Sequence, residues 1–201
     1  MRTHRRLFVA AIVMVTAAPL AAQAPANGQG QPPPQEPIII GPPPPPATAL
    51  EAFSVPPGAV LMTAYEDLGE VDGVFVEARE ARDGRGSRVR GIVVTIEGRQ
   101  PRPEQAFIDP DEFLDLLKGF DALLAITTNP TSQFRNFDMR YGTRGELVLT
   151  ASSTRTHGVV YGVEVGRVMR ARRTLNGGEF HQLRTLVEAA QQKLAALREE
   201  R

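Results

Sequence analysis

From Ala59 onward, apolar and polar residues alternate in short stretches separated by turn-forming residues. Val60 to Tyr65 is a brief apolar run. In Val71 to Ala81, Val74, Val76 and Ala78 fall opposite Phe75, Glu77 and Arg79, and in Val89 to Glu97, Ile92, Val94 and Ile96 share one side. A period of two lines up such residues on one face of an extended chain, so three strands are predicted. Asp83-Gly84-Arg85-Gly86 supplies the turn between the last two.

The period then changes. Phe113, Leu116, Leu117, Phe120, Leu123 and Leu124 recur at helical spacing and form one apolar stripe. Asp109 is a suitable N-cap, Pro110 suits the first helical position, Asp111 and Glu112 place negative charge in the first turn, and Asn129-Pro130 closes the segment.

Alternation resumes after it. Phe137, Met139 and Tyr141 alternate with Asp138 and Arg140; Leu147, Leu149 and Ala151 group within Glu146 to Ser153; Val159, Tyr161, Val163 and Val165 form another face; Val168 to Leu175 is a further extended stretch. Gly142-Thr143-Arg144-Gly145 and Thr156-His157-Gly158 read as hairpin turns. A last helix runs from about Gly178 to Glu199, with Phe180, Leu183, Leu186, Val187, Ala190, Leu194 and Leu197 on one stripe. The predicted architecture is α+β: one meandering antiparallel sheet of about seven strands with two packed helices, in the order βββα-ββββα, forming a single domain over residues 59 to 201.

Composition separates the first 58 residues from this domain. Arg2, Arg5 and Arg6 precede an apolar stretch from Leu7 to Leu20, followed by Ala21, Ala22, Ala24 and Ala26. That is the form of a secretory signal peptide over residues 1 to 24, with cleavage between positions 22 and 26. Arg5-Arg6 partly resembles a twin-arginine signal, but the compact, strongly apolar core fits the general secretory route. The apolar run is too short to anchor the chain across a bilayer, so no transmembrane segment is expected in the mature protein. Residues 25 to 58 hold 12 of the 17 prolines, mixed with Gln, Gly and Asn. Such a segment buries too little apolar surface to offset chain entropy and is expected to be a disordered linker, reaching about 100 Å if extended. Ile38-Ile39-Ile40 interrupts it, either packing on its own domain or adding as a strand to another sheet.

Charge and reactive residues narrow the function classes. Loss of residues 1 to 26 removes three arginines and no acids, leaving 20 basic against 23 acidic residues. That balance offers no footprint for nucleic acid. With no cysteine in the chain, disulfides, thiolate metal sites and a lipidated N-terminal cysteine are excluded. His157, at a hairpin tip, and His181, in the first turn of the last helix, lack metal-ligand spacing. Ser87 and Ser152-Ser153 lie outside any nucleophile elbow, and Gly84-Arg85-Gly86 is not followed by a helix that would cradle phosphate. Asp109, Asp111, Glu112 and Asp115 are accounted for by the start of a helix, and Glu66, Asp67, Glu70 and Asp72 lack the order of a calcium loop. No catalytic, cofactor-binding or metal-binding residue is therefore assigned.

Arginine is the one polar type that clusters: Arg82, Arg85, Arg88 and Arg90 around one hairpin, and Arg167, Arg170, Arg172 and Arg173 near the last strand. Solvated sheet edges that resist aggregation account for both groups; contact with anionic envelope polymers or lipid headgroups is the alternative. In the second group, alternation sends Arg167 and Arg173 to one face and Arg170 and Arg172 to the other. The function expected is that of an exported, non-enzymatic periplasmic or envelope interaction module whose partner is an envelope protein or polymer, with homo-oligomers through the C-terminal helix as a further option. The alternative is a carrier of a small apolar ligand or lipid, in a pocket lined by residues such as Phe113, Phe120, Tyr161 and Phe180. A hydrolase using only Asp and Glu would need two carboxylates facing each other across a cleft.

Overall fold

The alternating stretches form two antiparallel sheets, where one is expected from the sequence. The computed structural model describes residues 45–53, 57–97, 103–126, 136–154 and 158–199. Sheet A is a meander of β1 (Leu61–Val71), β2 (Val74–Asp83), β3 (Arg88–Ile96) and β4 (Glu104–Ile108); sheet B is a meander of β5 (Asp138–Gly142), β6 (Val148–Thr154), β7 (Gly158–Val165) and β8 (Ala171–Leu175). A short helix, α1 (Ala49–Ala52), precedes sheet A; α2 (Phe113–Leu124) joins the two sheets and α3 (Gly177–Glu199) follows the second. The signal sequence, Ile38-Ile39-Ile40, Asn129-Pro130 and His157 lie outside the described residues.

Two strands depart from the expected ranges for physical reasons. The run Val71 to Ala81 is broken by a two-residue turn at Asp72-Gly73, whose φ values of 47° and 76° are both positive. A hairpin of that kind matches the natural strand twist and favours Asp-Gly. The first strand therefore continues to Val71 through Glu66, Asp67 and Glu70, which show no alternation because most of β1 is exposed on both faces. β4 is short, and only Ala106 and Ile108 are buried, too few to announce a strand.

Register places the apolar rows of sheet A in line: Val74 opposite Ile96, Val76 opposite Val94, Ala78 opposite Ile92, then Ala106 and Ile108 across from Val94 and Ile92. In sheet B, Leu149 faces Val163, and Ala151, Tyr161 and Leu175 form a row. Phe113, Leu116, Phe120 and Leu123 of α2 and Phe180, Leu183, Val187, Ala190 and Leu194 of α3 join these rows in one buried cluster. Each large side chain so buried is worth about 1.5–3 kcal/mol. α3 lies against β1, β2 and β3 and also reaches β7 and β8, while α2 packs on β6 and α3. The two helices thus serve both sheets.

Asp109 departs from its expected role. Its side chain makes no cap bond to the segment that follows, where Pro110–Glu112 forms a 3-10 turn leading into α2. Its carboxylate instead accepts from the backbone N–H of Ala49 at 2.8 Å and Leu50 at 3.3 Å, satisfying the start of α1 from 59 or 60 residues away. Leu50 then packs with Ala81 and Val93, alongside Phe53, Leu61, Val89 and Phe107, on the outer face of sheet A. Residues 45–53, which composition assigns to the spacer, belong to the folded part.

Candidate functional site: an open edge and an arginine-walled groove

The inner face of sheet A changes character partway along its strands. Glu80 and Arg82 continue the row of Val74, Val76 and Ala78 on β2, and Arg90 and Arg88 continue that of Ile92, Val94 and Ile96 on β3. Glu80 stands opposite Arg90, and Arg82 opposite Arg88. The period-two rule would place apolar residues at these positions. Four charged side chains occupy them, at the point where α3 ends.

Among the described residues, three guanidinium groups gather around the Glu80 carboxylate. Arg90 Nε lies 2.5 Å from Oε2, Arg82 Nε bonds Oε1, and Arg88 Nε is 3.5 Å from Oε1. The side chains of Glu80, Arg90 and Arg88 are only 12, 13 and 18 % exposed. Burial pushes the Glu80 carboxyl up, but hydrogen bonds from Arg90 and Arg82 and the charges of Arg90 and Arg88 outweigh it, so it is held below its ordinary value. Arg90 also donates through Nη2 to the Leu197 carbonyl at 2.8 Å, placing a cation at the negative end of α3.

Two cavities flank this cluster. One, of about 710 Å³, lies between Arg88 and Arg90, the start of α2 at Phe113 and Leu114, and Gln191 and Leu194 of α3. The other, of about 560 Å³, is bounded by β1 at Ala64 and Glu66, by Arg82, and by Lys193 and Leu197. Leu114 is off the buried stripe of α2 and 64 % exposed.

β1 borders the second cavity and is an outer strand of its sheet. The Gly84 N–H donates to the Val60 carbonyl at 3.1 Å, while the Asp83 N–H turns the other way, to Ser87. Leu61 and Asp83 are therefore a non-hydrogen-bonded pair, and by alternation Met62 and Ala64 exchange hydrogen bonds with Arg82 and Glu80. The N–H and C=O groups of Leu61, Thr63 and Tyr65 consequently point away from the sheet. Met62 and Tyr65 are 64 and 70 % exposed. The stretch Leu61–Tyr65 carries neither charge nor proline, the usual protection of an edge.

The other candidate residues are placed as follows. Arg82 sits on an inner strand of sheet A, and Arg88 and Arg90 lie on the part of β3 that precedes its pairing with β4, which begins at Ile92. Arg144 gathers the acids of the α2 start: its Nη2 is 2.6 Å from Asp111, its Nε 3.3 Å from Glu112, and Asp109 lies 3.9 Å away. Asp115 pairs instead with Lys118 at 2.8 Å. Glu66 pairs with Lys193, while Asp67 and Glu70 accept from the N–H groups of Gly69 and Gly73. Among the described residues, no group of three or more His, Asp or Glu is placed to hold a metal ion.

Ser87 donates its N–H to Asp83, Ser153 Oγ accepts from Phe137, and His181 is exposed on α3. Arg170 and Arg172 both face Glu164, Arg167 approaches Glu51 and Glu146, and Arg173 reaches across to the Glu97 carbonyl of sheet A. Phe120, Tyr161 and Phe180 pack on one another, with ring centres 4.9 and 4.6 Å apart. Of the four residues considered for a carrier pocket, Phe113 borders the larger of these two cavities, and Phe120, Tyr161 and Phe180 line neither. No described helix is long and apolar enough to cross a membrane. The sequence matches no protein-family model, and no curated protein matches it.

Proposed function

We propose that this chain is an exported, non-enzymatic interaction module of the cell envelope, held on its proline-rich spacer, which takes up an extended segment of an envelope protein at the open edge of β1. The observation that carries this reading is the outward row of backbone groups at Leu61, Thr63 and Tyr65, on an exposed stretch of β1 that carries neither charge nor proline. Strand addition uses such groups for affinity and alternate side chains for selectivity. Met62 and Tyr65 call for apolar neighbours, and Asp67 at the far end calls for a basic residue. The partner segment is therefore an apolar strand of about five residues with a cation beside Asp67.

Outward and inward amides separate this mode from any other contact. Thr63→Pro removes an N–H that sheet A does not use, whereas Ala64→Pro removes one bonded to Glu80. A photo-crosslinking residue at position 65 of the full chain, in its own cells, is expected to yield one defined adduct. That adduct should disappear with Thr63→Pro while thermal unfolding moves by only a few degrees, and hydrogen exchange should slow at Leu61, Thr63 and Tyr65 in the complex. An adduct that survives Thr63→Pro, or none at all, overturns the proposal.

A further inference from the structure

Each sheet has two outer strands, and among the described residues the other three differ from β1. The Phe107 N–H of β4 is taken by the Gly145 carbonyl, β5 carries Asp138 and Arg140, and β8 carries Arg172 and Arg173. Over Leu61–Tyr65, β1 has neither cover nor charge. A bare edge is a template for any extended chain, and native folds cover such an edge or charge it. The one strand present wherever this protein is present belongs to a second copy.

The residues of the stretch suit that occupant. Leu61, Thr63 and Tyr65 all turn their N–H and C=O groups outward, so two copies that meet antiparallel with Thr63 at the centre satisfy every one of these groups. Thr63 then faces Thr63 of the second copy, and Leu61 faces its Tyr65, both favourable cross-strand pairs. On the opposite face Met62 stands beside Ala64 of the second copy, a large side chain against a small one. Moving the centre to Ala64 would set Leu61 against Asp67.

The charges agree with the same register. Asp67 falls opposite Ala59 of the second copy, next to Val60, whose carbonyl holds the Gly84 N–H. The exposed Arg85 follows Gly84, while Asp83 is engaged by the N–H groups of Arg85 and Ser87. The acidic end of each β1 thus lies toward the other copy's turn at Arg85, and the two-fold repeats the arrangement.

We infer that, without a partner segment, two copies cap each other by antiparallel pairing of β1 about a two-fold axis at Thr63. The contact uses the bare edge of both copies, so the assembly closes at two. This inference rests on the reading of β1 as an open edge and adds its regulation. One edge cannot hold two strands, so the dimer must open before an envelope segment is taken up.

The absence of cysteine from the chain allows a position-specific test. In this pairing the two Thr63 Cα atoms lie about 5.5 Å apart, within the roughly 4.4–6.8 Å that a disulfide bridges. The two Tyr65 Cα atoms lie about 13 Å or more apart, four residues out of register at about 3.4 Å each. Under mild oxidation of the purified full chain, Thr63→Cys should form a linked dimer about tenfold or more faster than Tyr65→Cys. Analytical ultracentrifugation of the unsubstituted chain should show the mass rising with concentration to that of two copies, and Thr63→Pro should abolish the rise. A monomer at every concentration, equal rates for the two cysteines, or a dimer that survives Thr63→Pro overturns the inference. Uptake of an envelope segment fails separately, when the cellular adduct from position 65 has only the mass of two copies of this chain.

Discussion

Glu80 shows how much one side chain can depend on its neighbours. Alone on a strand it would be a solvated acid; here it neutralises part of a cluster of guanidiniums, of which Arg88 and Arg90 are half-buried and Arg82 is exposed. Replacing it by Gln leaves Arg82, Arg88 and Arg90 facing one another, which should cost about 3 kcal/mol at neutral pH, measured as a shift in the urea midpoint. Because its carboxyl is held below the ordinary value of 4.5, the charged form contributes stability above that pH and the contribution fades as pH falls through its lower native value. Urea curves for the native chain and Glu80→Gln should therefore converge as pH drops below 4.5. A gap that stays constant down to acid unfolding would show that the carboxylate charge is not what stabilises the cluster.

Elements are begun and ended by local devices, and α3 has the clearest. Asn176 Oδ1 accepts from the Glu179 N–H at 3.0 Å, and Glu179 Oε2 accepts from the Asn176 N–H at 2.7 Å, a reciprocal capping box. Asn176→Ala should destabilise the protein by about 1 kcal/mol, with the largest rise in hydrogen exchange in the first turn of α3. The start of that helix is nearly legible in the sequence, which places it one residue late. α2 differs because Asp109 caps α1 across the fold, and no local pattern reports a hydrogen-bond partner 60 positions away. β1 is legible only at its apolar beginning, because a strand exposed on both faces has no reason to alternate.

At the scale of the molecule, the two sheets are joined by more than shared helices. The Phe107 N–H of β4 donates to the Gly145 carbonyl in the β5–β6 turn at 3.2 Å. A Cβ at Gly145 would stand 1.6 Å from the Phe107 carbonyl oxygen. Gly145→Ala must therefore push the turn away from sheet A, and a loss of about 3 kcal/mol is expected. Since rows from both sheets enter one buried cluster, unfolding should be a single transition, with tyrosine fluorescence and far-ultraviolet circular dichroism coinciding. Separate midpoints for the two probes would show that the sheets fold as independent halves.

Periodicity and turn chemistry by themselves determined that this chain is α+β, that the two long helices follow the two runs of strands, and which residues such as Val76, Ile92, Phe120 and Phe180 are buried. Those signals act over a few residues, where backbone geometry and amphipathic spacing decide. Tertiary structure alone decided that the strands divide into two sheets, that residues 45–53 join the folded part, and that Arg82, Arg88 and Arg90 converge on Glu80. Alternation could assign Glu80, Arg82, Arg88 and Arg90 to one face, but a period of two does not say which face is covered or where a helix stops covering it. The end of α3 and the start of α2, more than 20 residues from that hairpin in either case, turn a run of surface-like charges into the wall of a groove.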